Sequence, residues 1–302
     1  MNKTTTNLLL MLITIIAGTY FFINYCSECG SSALEEPSQE PMVGEEIKST
    51  SYPFAFSDGD FSYEVKDNYN FNVSSSSILM PLATGIGTGI SQLKAYFLEN
   101  GNKVINVIGY YASNEENNTA YPNLGLARAN AVKNNLVEQG IPSAQINTSS
   151  TLMDEMVPKD GIYYGPMAYN VDIRSENADE ELSALFDKIN ADPLVLYFNT
   201  AEASINLDME QRQKVADISR YLDKVAEATV SITGHTDNTG MAETNMKLGM
   251  DRANFAKDYF IRNGISTDRI TTSSKGQEEP IVDNATEEGK GKNRRTVVTL
   301  NK

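Results

Sequence analysis

The chain has 302 residues, 40% of them hydrophobic and 22% charged, a composition of folded domains and not of a disordered polymer. Its formal net charge of −15 excludes a general affinity for nucleic acid, because phosphate binding needs clustered Lys and Arg. The single histidine, His235, excludes a zinc hydrolase built on several His ligands and leaves any catalytic triad only that imidazole.

The amino-terminal segment, residues 1–27, carries no charged side chain between Thr4 and Ser27. Its apolar run from Leu8 to Tyr25 would span roughly 27 Å as a helix, enough for a thin bilayer core. Tyr20, Phe21, Phe22 and Tyr25 gather at one end, as an interfacial aromatic belt does. A transmembrane anchor is expected, with Lys3 on the cytoplasmic side and the rest of the chain outside. Two competing readings are a signal peptide cleaved near Ser31-Ser32-Ala33 and lipidation at Cys26, which lacks small residues before it. Cys26 and Cys29 have a C-x-x-C spacing but no second pair to complete a metal site, so they read as juxtamembrane cysteines.

Residues 28–58 are rich in Ser, Glu and Pro and hold few large apolar side chains before Tyr52. They cannot bury a core and are expected to form a flexible acidic linker, with a root-mean-square reach near ~30 Å.

The remainder repeats itself. GYYAS at 109–113 answers GHTDN at 234–238, LGLARAN at 124–130 answers LGMDRAN at 248–254, and GIPSAQI at 140–146 answers GISTDRI at 264–270. One register of 124 to 125 residues therefore holds throughout, and two copies of one α+β fold are expected at residues 59–178 and 188–302. In the second copy, Leu194 to Phe198 suits a strand. Asp208 suits the cap of a helix whose apolar face is Val215, Ile218, Leu222 and Val225. Thr229 to Thr233 alternates as a half-buried strand does. Asn245 to Asn263 predicts a second helix burying Leu248, Phe255, Ala256 and Tyr259, stopped by Gly264. Strands at Arg269 to Ser273 and Thr296 to Leu300 complete a β-α-β-α-β-β order, with both helices on one face of a mixed sheet.

From Leu194 to Leu300 the ordered set GHTDNTG (234–240), Asn245, Leu248-Gly249, Arg252-Ala253, Gly264-Ile265, Gly276, Pro280-Ile281 and Asn293-Arg294-Arg295 resembles the OmpA C-terminal family. That resemblance implies non-covalent binding of peptidoglycan through the diaminopimelate residue of its stem peptide. Carried over position by position, it implies that Asp237 engages the diaminopimelate ammonium and Arg252 clamps its carboxylate. Asn245, Thr236 and Asn238 would supply supporting contacts, and Arg294 and Arg295 a closing pair. Gly249 departs from the family, which usually has Ser there. The chemistry agrees: a zwitterion needs an anion and a cation held apart on a rigid frame, and a guanidinium suits a carboxylate. The competing structural reading has Arg252 pair with Asp237 internally and fasten loop to helix. His235, weighed as a catalytic base beside Asp237, reads instead as a packed or surface-exposed ring.

In the first copy the Asp237 position falls at Ala112 or Ser113, Arg128 survives, and the closing segment Ala168 to Val171 has no Arg. The first domain is therefore degenerate and is not expected to bind diaminopimelate in the same way. It is left as a spacer, or as a surface for a homodimer or an envelope-protein partner. The chain as a whole reads as a non-enzymatic tether between membrane and wall, in the periplasm, on the inner membrane in preference to the outer. No cofactor, metal or nucleic acid is expected. The alternative is an envelope scaffold without wall binding. A stator-like ion channel is excluded by the lack of an ionisable group in the span.

Overall fold

The computed structural model describes residues 14–17, 19–20, 49–262 and 264–302, which fall in two units, Met1–Lys48 and Ser49–Lys302. In the first unit the described residues are helical. Among the described residues no helix is long and apolar enough to cross a membrane, and the expected anchor and Cys26 and Cys29 lie largely outside them.

In the second unit the chain forms strands β1 (Phe54–Asp58), β2 (Phe61–Val65) and β3 (Phe71–Asn72), then helix α1 (Thr84–Glu99) and strand β4 (Lys103–Tyr111). Helix α2 (Leu124–Glu138) follows, then strands β5 (Ile146–Leu152), β6 (Ile162–Tyr163) and β7 (Met167–Ile173). β4 lies between β5, parallel to it, and β7, antiparallel. Ile105 and Val107 of β4 pack against Ile86, Ile90 and Leu93 of α1 and Val132 and Leu136 of α2, all nearly water-free. The acidic linker was expected to reach residue 58. It ends earlier, because Phe54 and Phe56 turn inward from β1 and Phe54 meets Tyr169 edge to face at 4.8 Å.

The second repeat contains β8 (Leu194–Tyr197), α4 (Met209–Lys224), β9 (Thr229–His235), α5 (Ala242–Arg262), β10 (Ile270–Gly276), a short α6 (Glu287–Asn293) and β11 (Arg295–Asn301). The sheet order is β10-β9-β11-β8, with β10 parallel to β9 and β11 antiparallel to both its neighbours. Strands β8, β9 and β10 therefore end on the same edge, where β11 begins. Asp208 caps α4 in a reciprocal capping box with Gln211, and Val215, Ile218 and Leu222 are buried as their spacing requires. Gly264 ends α5 with a φ of +89°, the left-handed conformation glycine adopts without strain.

Two features differ from expectation. The buried face of α5 is Asn245, Gly249, Arg252, Ala253, Ala256 and Phe260, while Leu248, Phe255 and Tyr259 are only partly covered. The helix is turned by a backbone contact: a Cβ on Gly234 would sit 1.8 Å from the Gly249 carbonyl oxygen. A serine at 249 would meet Ser274 Oγ at 2.2 Å, so the glycine allows this approach. The first repeat has the same contact between Gly109 and Gly125. The second difference is helix α3 (Ala178–Ala191), where no element was expected. Leu182, Leu185, Phe186 and Ile189, at helical spacing, pack it onto the second repeat's core.

The two repeats also touch directly. Lys133 pairs with Asp223 at 2.5 Å, Lys224 donates to the carbonyls of Ala144 (2.9 Å) and Ile146 (2.6 Å), and Arg212 donates to those of Asn117 and Thr119. Tyr121 and Ala127 pack on Ala216 beside these bonds.

Candidate functional site

The site residues gather where β8, β9 and β10 end and β11 starts. Asp237 lies two residues beyond β9, and its carboxylate is buried. Oδ1 accepts from the Thr239 amide at 2.8 Å, and Oδ2 accepts from Arg294 Nη1 at 2.8 Å. Burial pushes this carboxyl up, but the Arg294 guanidinium and the Thr239 bonds more than reverse it and hold it below the ordinary aspartate range. Asp237 is thus an ionised carboxylate at neutral pH.

Arg252, three residues after the Gly249 contact on α5, is fully buried. Nε donates to the Glu202 carbonyl (2.9 Å), Nη1 to that of His235 (2.9 Å) and Nη2 to that of Asn199 (3.2 Å). Its guanidinium also stands 5.2 Å from the centre of the Phe198 ring. Burial and the neighbouring Arg294 pull its pKa down, opposed by Asp237, to about 10. The internal Arg252–Asp237 pair considered from sequence does not form: Arg294 takes that place, and Arg252 is held by carbonyls.

The other expected residues divide. Asn245 is buried and donates to the Asp237 carbonyl (3.3 Å) and to Gln277 Oε1 (2.6 Å), so it fastens the loop. Thr236 is also buried, with its hydroxyl bonded to the Asp237 carbonyl and its amide to that of Gly276. Asn238 is exposed at the rim. Arg294 joins Asp237, but Arg295 does not. Neighbouring residues entering a strand point to opposite sides, and Arg295 Nη2 bonds the Glu279 carbonyl at 3.1 Å. Asn293, wholly buried, pins the Ile281 and Val282 amides through its side-chain oxygen and is a structural residue.

Sequence reasoning did not find Gln277 or the Asn199–Glu202 turn over Arg252. Each acts through a backbone group or a single amide side chain, which leaves no periodic trace. His235 is buried, its Nδ1 has no hydrogen-bond partner, and burial with the nearby Arg295 lowers its pKa to about 4. A ring so placed offers no general base paired with Asp237. Among the described residues no group of His, Cys, Asp or Glu could hold a metal ion. What remains is one carboxylate beside two guanidinium groups, a site with one surplus positive charge.

A mixed sheet covered by helices carries this charged cluster at one edge. The OmpA family model matches residues 70–156 and 197–294, more than half of the chain, and the chain belongs to the OmpA family. Peptidoglycan-binding protein ArfA of Mycobacterium tuberculosis is 35% identical over 121 residues, 40% of this chain and 36% of that protein. Outer membrane protein Omp38 of Acinetobacter baumannii is 32% identical over 108 residues, 35% of this chain and 30% of that protein. The chain thus spans about a third of the length of the curated relatives it matches. Among solved structures, the peptidoglycan-associated lipoprotein of Burkholderia pseudomallei is 23% identical, covers 35% of this chain and 89% of its own, and has a TM-score of 0.33.

Proposed function

We propose that the second repeat binds peptidoglycan non-covalently through diaminopimelate, and that the chain ties a membrane to the cell wall from the periplasmic side. Asp237 takes the ligand's ammonium and Arg252 its free carboxylate, with Arg294 aiming the Asp237 carboxylate and Asn245 holding the loop. The observation that carries this reading is the join between the two charges. Arg252 Nη1 bonds the His235 carbonyl, two residues before Asp237, so cation and anion ride on one rigid frame. A ligand carboxylate reaches Arg252 once the Asn199–Glu202 turn lifts from it. Relatives whose names record peptidoglycan binding or an outer-membrane location support the envelope setting. The role is binding, with no catalytic step.

The alternative, an envelope scaffold without wall binding, is favoured by the complete burial of Arg252 under its own chain. Co-sedimentation of the full-length chain with insoluble diaminopimelate-type peptidoglycan separates the two. The proposal expects the wild type to pellet, while folded Asp237→Ala and Arg252→Lys variants stay in solution. Wild-type protein that stays in the supernatant, matching a control without wall, favours the scaffold.

A further inference from the structure

The two repeats hold their equivalent arginines in matching frames. Arg128 Nε donates to the Ser75 carbonyl at 3.0 Å and Nη1 to the Tyr110 carbonyl at 2.9 Å. Arg252 Nε donates to the Glu202 carbonyl and Nη1 to the His235 carbonyl, both at 2.9 Å. Tyr110 and His235 each follow the glycine that touches the helix. Both guanidinium groups lie over aromatic rings, Arg128 over Phe71 and Tyr163, Arg252 over Phe198.

The remaining edge of the guanidinium is where they part. Arg128 turns it onto the carboxylate of Glu115, with Nη1 donating to Oε2 at 3.0 Å and Nη2 donating to Oε1. That carboxylate accepts two more bonds, from the amides of Ala112 (3.0 Å) and Ser74 (2.9 Å). The two side chains are 0% and 1% exposed. In the second repeat the corresponding loop positions are Thr239 and Gly240, which carry no charge, and no side-chain carboxylate bonds Arg252.

We infer that the first repeat is a carboxylate-binding site whose ligand is the chain's own Glu115. A bidentate guanidinium with two convergent amides is the donor set that recognises a free carboxylate, and here both amides and both nitrogens of the guanidinium's outer edge already bond Glu115. An outside carboxylate must displace a tethered one that is always at hand, and it would have to extract Glu115 from a water-free pocket. The first repeat is closed by its own ligand, and of the two equivalent arginines only Arg252 in the second repeat is left without a carboxylate of the chain on it. This goes beyond the wall-binding reading and stands whether or not the second repeat binds wall.

Removing Glu115 beyond its Cβ leaves room for acetate, which supplies the test. Thermal unfolding of the full-length chain is followed for wild type, Glu115→Ala and Glu115→Ala/Arg128→Met, in sodium acetate and in sodium chloride at equal ionic strength. Glu115→Ala is expected to melt roughly 6–15 °C below wild type in chloride, as loss of one partner of a buried pair implies. In about 0.3 M acetate it recovers at least ~3 °C beyond any change seen in wild type, because a ligand of the native state raises its melting point. The double variant shows no such recovery. Should Glu115→Ala fail to fold in chloride, its refolding yield in acetate against chloride is the readout, and a yield restored by acetate alone supports the inference. Acetate no better than chloride, or equal rescue of the double variant, overturns it.

Discussion

Arg294 Nη1 donates to Asp237 Oδ2 at 2.8 Å, and the Nε of the same arginine holds the Phe198 carbonyl at 3.1 Å. The first residue before β11 therefore locks the loop after β9 to the end of β8. The ligand's ammonium is expected to share Asp237 with this guanidinium, approaching the carboxylate from its open side.

Arg294→Gln removes the charge that, with the Thr239 bonds, lowers the Asp237 pKa and helps aim its carboxylate. Its affinity for wall is expected to fall about tenfold, equivalent to ~1.4 kcal/mol, in sedimentation isotherms. Arg295→Gln, whose native side chain bonds the Glu279 carbonyl away from Asp237, should bind within about twofold of wild type. Equal losses from both variants would contradict the division described above.

His235 gives the fold an acid sensitivity. Its folded pKa, about 4, lies below the ordinary value of 6.5, so the native state resists protonation and the unfolded state does not. The contribution is complete above pH 6.5 and is lost as pH falls from there towards 4, on the order of 3 kcal/mol in all. His235→Phe, which also removes the unpartnered Nδ1, should flatten the stability-against-pH curve in that window. Denaturant midpoints at pH 7 and pH 4.5 measure it, and an unchanged slope would show that His235 is not the source.

Gly234→Ala drives a Cβ into the Gly249 carbonyl, where neither backbone can yield without moving α5 off the sheet. A loss of about 3 kcal/mol or more is expected in chemical denaturation. Gly240→Ala meets open space and strains only its φ of +97°, so it should cost about 1 kcal/mol.

Asp223→Ala leaves Lys133 buried between the repeats without its counter-ion. Calorimetry is expected to show one unfolding transition for wild type and two separated transitions for the variant, with a loss of about 3 kcal/mol. A single transition in both would mean that the repeats are coupled by something other than this pair.

Much of this architecture was legible in the residues. The 124-residue register paired Arg128 with Arg252, and the structure gives each a backbone carbonyl at Nε and another at Nη1, the latter from the equivalent residues Tyr110 and His235. The Asp208 cap and the Gly264 stop were readable because capping depends on local chemistry. The face of α5 was not, because apolar spacing favoured Leu248 and Phe255, while the helix is turned by the Gly234–Gly249 backbone contact. Helix α3 was passed over in a short stretch between the repeats, although Leu182, Leu185, Phe186 and Ile189 carry the helical period. The site was legible by position but not by pairing. Which arginine meets Asp237, and that Glu115 meets Arg128, depend on side-chain pairings bridging 57 and 13 positions, which no periodicity records.

The central claim is that Arg252 reads a carboxylate beside an ammonium held by Asp237. Calorimetric titration of the full-length chain with two soluble stem peptides, differing only in diaminopimelate or lysine at the third position, tests it most directly. Lysine keeps the ammonium and lacks the carboxylate. The account predicts binding of the diaminopimelate peptide, weakened at least ~100-fold for the lysine peptide, since a charge-assisted bidentate contact is lost. Equal affinity for the two peptides, or no binding of either, would contradict it.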